Sequence, residues 1–353
     1  MAFKKLVIAS GQVSGASHSD FPILIQPSKM TGWEALTLAE AQSIRIYTDE
    51  AKTNEVAREV VSADEIHCKV PTLTSSTELY VDYDGVRSDL SPGATYGRNA
   101  VWGDYGGVWH MGDATTTTVT DSTSGGLTGT KKGVGAPTEV DGFIGKGQDF
   151  DRANGDYINV PHSSRISSDT DFTLQFGVYF NSFPDAFCSV INKRDNDDPE
   201  NRANYGLQIR GGATDAFRVL YAIGTSFRIF SIPLSTNFST GQWYKVQLNF
   251  ENQGANTLIE VYKNGSLLDS DTLSGGVQTN TADLNMGDWS TDGSEPADVQ
   301  LDEVRFIDPK RNDNWITTEY NNQNDVASFW GTVTDAGGDP PEPVVDTGFF
   351  AFM

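Results

Sequence analysis

The sequence predicts an all-β protein: a small N-terminal β-sandwich, a larger jelly-roll sandwich, a short C-terminal helix and an extended tail. Three observations predict it. Short apolar runs alternate with a period of two, Gly, Asn and Asp turns punctuate them, and no helical patterns alternate with them. The 353 residues suffice for two domains, and 37% hydrophobic with 11% aromatic residues suffices for packed cores.

The elements follow in chain order. The opening MAFKKLVIASGQVSGAS sets Lys4 and Lys5 before an apolar run. That run, Leu6 to Ala9, is four residues long, whereas an export signal needs roughly 7–15. It is expected to form a first strand, in a chain made in a reducing cytoplasm without a signal peptide. FPILI (Phe21 to Ile25), SIRIYTD with Ile44 and Ile46, IHCKV with Ile66, Cys68 and Val70, and LYVDY with Leu79, Val81 and Tyr83 extend a sandwich over residues 1–90. WEALTLAEA (Trp33 to Ala41) is the one helical-looking stretch there. Residues 91–107 are rich in turn formers and are expected to be a connector.

From 108 to 330 the strands recur. TLQFGVYF sets Leu174, Phe176, Val178 and Phe180 on one face, and YGLQIRGG, FRVLYAIG, WYKVQLNF and LIEVYKNGSLLDS follow. Asn264-Gly265 signals a hairpin, because both central positions of a type I′ turn need positive φ. A sandwich of this length has room for a jelly roll. Near 313–323 a helix is expected, with Asp313 as its N-cap and Trp315, Ile316 and Tyr320 on one face against the sandwich. It is read as a packing clasp. Residues 331–353 add a Pro/Gly spacer and an apolar end whose Phe349, Phe350, Phe352 and Met353 are expected to dock into a partner subunit.

Charge narrows the partners. With 25 basic and 48 acidic residues the net charge is −23, which repels nucleic acid and anionic membranes. No segment approaches the ~20 apolar residues of a membrane-spanning helix. Cys68 and Cys188 fall in different domains, so no disulfide is expected within either.

VWHMGDATTTTVTDSTSGGLTGT (Val108 to Thr130) and DGFIGKGQDFDRANGDYINVP (Asp141 to Pro161), followed by GQWYKVQLNF, EVYKNG and LDEVRFID in that order, resemble the concanavalin A-like, laminin-G-like jelly rolls. Residues 3–90, through DFPILI, SIRIYTDE, CKVPTL and ELYVDYDG, resemble an uncharacterised β-rich domain found joined in front of such jelly rolls. The closing DNWITTEYNNQ belongs to the same pairing. Members of that pairing carry a signal peptide and sit outside the cell; this chain departs from them.

Glycan hydrolases of this fold use E-x-D-x-x-E on one strand. Only Glu139-Val140-Asp141 offers the start here, and Ile144 stands where the last carboxylate belongs. G-x-S-x-G and H-E-x-x-H do not occur, and His18, His67, His110 and His162 are scattered, with no Cys/His cluster for zinc. The chain is expected not to be an enzyme. The resemblance implies a calcium site, for which Asp149, Asp151, Asp156 and Asp302 are the candidates, the ion being structural. The acidic loops DNDDPEN (Asp195 to Asn201) and GDWSTDGSEPAD (Gly287 to Asp298) lack the EF-hand spacing. For sugar recognition the candidates are Trp289 between Asp288 and Asp292, and Tyr205 beside Asn204, as stacking faces with polar neighbours. The function expected is a non-enzymatic virion protein of a bacteriophage, in the tail or on the capsid, with a lectin-like module for host-surface glycans. It would join other virion subunits through its tail and form a homo-oligomer. The alternatives are a secreted or cell-surface adhesin and a glycan-active enzyme.

Overall fold

The computed structural model describes residues 2–194, 202–289 and 294–337. All strand pairings in it are antiparallel, as expected of chains linked by short turns. In the jelly roll one eight-stranded sheet runs Ser226–Ile232, Ala216–Ile223, Ala203–Arg210, Cys188–Arg194, Leu284–Met286, Tyr157–Val160, Gly129–Lys132 and Thr118–Val119. The facing sheet runs Thr138–Asp141, Lys146–Phe150, Val299–Ile307, Phe172–Phe180, Trp243–Asn252, Asn256–Lys263 and Ser266–Ser274, with Tyr105–Trp109 also on Val299–Ile307. Inward residues of both sheets form one core, among them Leu174, Phe176, Val178 and Phe180, as their alternation predicts. The Asn264-Gly265 turn has φ of 51° and 77°, the left-handed pair that a type I′ hairpin requires.

The first unit stacks two sheets. Glu78–Tyr83 and Ala2–Val7 sit in one, with Arg45–Tyr47 and Glu55–Val56; His18–Ile25, Glu65–Leu73 and Arg58–Ser62 make the other. Its boundary differs from the expected one. Thr334–Asp335 pairs with Lys4 and Lys5, and Val326, Phe329, Trp330 and Val333 lie in the first unit's core. Residues 326–335 therefore complete the first sandwich, and the spacer expected from 331 onward begins later. Its apolar end, with Phe349, Phe350, Phe352 and Met353, lies outside the described residues.

Two further corrections are local. The helix expected over Trp33 to Ala41 is confined to Leu38–Ser43, where Thr37 and Glu40 form a capping box. Trp33 is instead a core residue whose Nε1 donates to Tyr83 Oη at 3.1 Å. The stretch 91–107 contains the helix Arg98–Val101 and the start of the strand Tyr105–Trp109. Its Trp102 is fully buried with Val101, Tyr105, Val108 and Ile307, so this connector is packed.

The helix Asp313–Asn324 lies between the units. Its N-cap is Asn312, whose Oδ1 accepts from the Trp315 amide, rather than Asp313, which accepts from the Tyr262 hydroxyl at 2.6 Å. Two faces are buried, not one. Trp315, Thr318 and Asn322 meet the first unit: Trp315 packs on Phe21, Thr318 bonds His18, and Asn322 bonds Leu24. Glu319 and Gln323 meet the jelly roll at Gln175, Arg305 and Lys245. Spacings of three and four residues give each partner its own stripe.

Candidate functional site

Alternation along the strands decides which side chains reach the outer face of the jelly roll. Tyr205, Leu207 and Ile209 point into the core, as do Phe217, Val219 and Tyr221. Their strand neighbours Gln208, Arg218 and Leu220 point outward and, with Phe187, Arg194, Phe227, Ile229 and Glu295, line an open groove of about 200 Å³.

Stacked cations and rings build its walls. The Arg218 guanidinium lies 4.3 Å from the Phe187 ring, and that of Arg194 lies 4.8 Å from Phe227 and 4.4 Å from Trp289. Burial lowers the pKa of both arginines from the ordinary guanidinium value, with the Glu295 charge opposing. Glu295 accepts from Gln208 Nε2 at 2.6 Å and Ser189 Oγ at 2.7 Å, and stands 3.9 Å from Arg194. Arg218 makes no ion pair among the described residues. One wall thus presents the Arg218 guanidinium beside aromatic surface on a strongly acidic chain.

The sugar-site candidates separate. Trp289 borders this groove, half-buried against Arg194, and its Nε1 is buried without a partner among the described residues. Asp288 is fully buried; its Oδ1 accepts from the amides of Trp289 at 2.6 Å and Glu295 at 3.1 Å, so it closes the loop rather than facing a ligand. Asp292 lies outside the described residues. Tyr205 is corrected: it is a core residue inside a strand, packed on Phe172 and Phe306, with its hydroxyl donating to Ile166 O at 3.1 Å. Asn204 is also buried, donating to Ser168 O and Gln278 O. Neither offers a stacking face or a free donor. Sequence reasoning missed Arg218, Arg194 and Phe227; for Arg218, its place between the inward-facing Phe217 and Val219 in FRVLYAIG was the available signal.

The four aspartates proposed for calcium do not converge. Asp151 caps the turn Arg152–Asn154 through the Ala153 amide, Asp156 accepts from the Asp151 amide at 3.3 Å, and Asp149 accepts from Asn181 at 2.9 Å. Asp302 is fully buried elsewhere, accepting from the Ile144 amide at 2.7 Å. Among the described residues, no three of their carboxylates come within reach of one ion. Turn backbone amides hold two of them, Asp151 and Asp156, in place.

A second polar centre lies buried where the two units meet. Glu65 and His67, two residues apart on Glu65–Leu73, face the jelly roll, and Glu59 sits on the neighbouring strand opposite His67. His110 and Glu303 face them from the other side. The rings of His67 and His110 stack at 4.9 Å, which corrects the expectation that the histidines stay scattered. Glu303 has φ of 51°, in a strand whose pairing with Phe172–Phe180 slips between Gln175 and Gly177. His110 Nδ1 lies 2.5 Å from Glu303 Oε1, and its Nε2 lies 3.0 Å from Glu59 Oε2. Burial opposes the charge on Glu59, yet His110 and the hydrogen bonds from Ser122 and Trp102 hold its carboxyl at about 2. Burial, joined by the charges of His110 and Arg305 and opposed by Glu303 and Glu59, lowers His67 to about 3. Glu65 is pushed well up by burial and by the Glu303 charge beside it.

Residues 152–317 match the concanavalin A-like lectin/glucanases superfamily. The jelly roll is concanavalin A-like. Solved structures similar to the chain include a botulinum neurotoxin type G receptor binding domain, at 13% identity and a TM-score of 0.46, covering 62% of this chain and 51% of that one. Domain 4 of AbnA, an extracellular arabinanase from Geobacillus stearothermophilus, solved with arabinotriose, is similar at 19% identity and a TM-score of 0.46, covering 62% of this chain and 98% of that one. The chain spans about half the length of the neurotoxin domains it resembles. No curated protein matches it. The concanavalin A-like frame places the groove on the outer face of one of its two sheets.

Proposed function

We propose that this protein is a non-catalytic binder of glycans that bear a carboxylate, with the groove around Arg218 as its site. The observation that carries the reading is Arg218 itself: a guanidinium stacked on Phe187, without an ion pair among the described residues, in an open groove. Guanidinium recognises carboxylate through paired hydrogen bonds, while Phe227, Trp289 and Ile229 supply apolar surface for a sugar face. Glu295 and Gln208 are placed to bond hydroxyls. The concanavalin A-like fold is consistent with this, since it serves lectins as well as glucanases. Binding would be weak per site and strengthened by several copies acting together.

Titration of the full chain with uronic- and sialic-acid oligosaccharides and with neutral ones tests the reading. Acidic glycans should bind, and Arg218→Met should weaken them about tenfold or more, the worth of one charge-assisted hydrogen bond. Binding of no glycan, or equal binding by the Arg218→Met chain, defeats it.

The finer setting we propose is a bacteriophage virion, where the module would attach to host-surface glycans. The acidic charge and the apolar Phe349, Phe350, Phe352 and Met353 behind a Pro-rich spacer support that setting. Recovery of the chain in purified particles is the check, and its absence from them removes the setting while leaving the glycan site standing.

A further inference from the structure

The buried centre between the units has the donor set and spacing of a metal site. One ligand atom each from Glu65, His67, His110 and Glu303 all lie within 4.8 Å of one another, the only such group among the described residues. A tetrahedral ion with nitrogen and oxygen ligands at about 2.0–2.1 Å sets neighbouring donors about 3.3–3.4 Å apart. Glu65 Oε1 stands 3.3 Å from His67 Nε2 and 3.4 Å from His110 Nδ1. Both separations are edges of that tetrahedron. The contact between His110 Nδ1 and Glu303 Oε1, at 2.5 Å, would have to lengthen to admit an ion.

The surroundings hold these donors as outer partners hold metal ligands. His110 turns its other nitrogen to Glu59, which is fixed in turn by Ser122 Oγ at 2.6 Å and by Trp102 Nε1. Arg305 grips the second oxygen of Glu303, leaving the first to face the centre. His67 is completely buried, and its Nδ1 has no partner among the described residues. Its Nε2 is the nitrogen that faces the centre, 3.3 Å from Glu65 Oε1. Two carboxylates and two imidazoles are buried here within reach of one ion.

We propose that Glu65, His67, His110 and Glu303 bind one divalent ion of the zinc class, which fastens the first unit to the jelly roll. Two imidazoles with two carboxylates suit zinc better than calcium or magnesium, which take oxygen ligands. Four protein ligands leave no open position, so the site is structural. Each unit contributes two of the four, so the ion cross-links them. A cleft of about 200 Å³, lined by Glu59, His110, Asp113 and Ser122 among others, provides the access route.

The test uses the full chain, refolded in excess zinc and freed of loose metal by dialysis, with zinc per chain read by mass spectrometry. About one zinc per chain is expected, with the melting temperature falling once a chelator has removed it during unfolding. His67→Ala should hold at least tenfold less zinc. If that variant fails to fold, Glu65→Gln, which keeps the side-chain volume and removes a charged donor, takes its place and should show the same loss. Cobalt refolded into the wild type should give the strong visible absorption of a tetrahedral centre. A wild-type chain without zinc, or a folded variant that retains it fully, overturns the proposal; neither result bears on the Arg218 groove.

Discussion

Lys193 shows how far a single side chain departs from its ordinary chemistry in this fold. It is fully buried in Cys188–Arg194, with Nζ donating to the Ala282 carbonyl and lying 2.9 Å from His162 Nδ1. Burial lowers its pKa from 10.5 to about 8. Between those values the unfolded chain still holds a proton that the folded chain has released, so stability contributed at this site rises with pH across that window. Lys193→Met abolishes the rise. Urea midpoints at pH 7.5 and pH 10 should therefore show the wild type gaining on the variant by on the order of 1–3 kcal/mol. A difference between the two proteins that stays constant with pH refutes the assignment. Single residues were also where sequence reasoning was weakest. Tyr205 and Trp289 both look like aromatics beside polar turns, yet one packs in the core and the other borders the groove. Strand parity relative to a partner sheet decides this, and that partner lies far away in the chain. His67 and His110 meet only because two sandwiches dock, so no local spacing could announce them.

At the scale of elements, the strands were legible because half-buried pleats write their period into the chain. TLQFGVYF, WYKVQLNF and the Asn264-Gly265 hairpin all form as their patterns dictate. The helix Asp313–Asn324 was legible as an element but not in its role, since an amphipathic reading assumes one apolar face. Its polar residues are buried because each finds a partner, Glu319 and Gln323 among side chains and Asn322 on backbone. Asn322 accepts from the Leu24 amide at 2.7 Å and donates to the Leu24 carbonyl at 3.0 Å, standing in for a neighbouring strand at the open edge of His18–Ile25. Trp330 Nε1 donates to the same carbonyl at 3.2 Å. Asn322→Leu fills the space but strands the Leu24 amide, at a cost of about 1–3 kcal/mol. Denaturant midpoints read it directly. A loss under about 0.5 kcal/mol would mean that solvent reaches this edge after all.

The whole molecule closes on itself through its far end. Thr334–Asp335 pairs with Lys4 and Lys5, and Ile8 bridges to Trp330. Val326, Phe329, Trp330 and Val333 fill the first unit's core beside Leu6, Phe21 and Leu24, whereas the jelly-roll core draws only on residues from 109 to 306. The two cores thus depend on the chain end unequally. A chain ending at Asp325 keeps the helix and every residue of the larger core, yet loses an edge strand and four buried apolar side chains from the smaller one. At about 1.5–3 kcal/mol for each large side chain buried, that loss is comparable to the whole stability of a unit of some 85 residues. Truncation should therefore split one melting transition into two. The earlier should belong to the first unit, which a protease should remove ahead of Tyr105 while the jelly roll stays intact and still binds through the Arg218 groove. A truncated chain that melts in one step at the full-length temperature would show that the helix alone holds the first unit in place, and that residues 326–335 merely cover it.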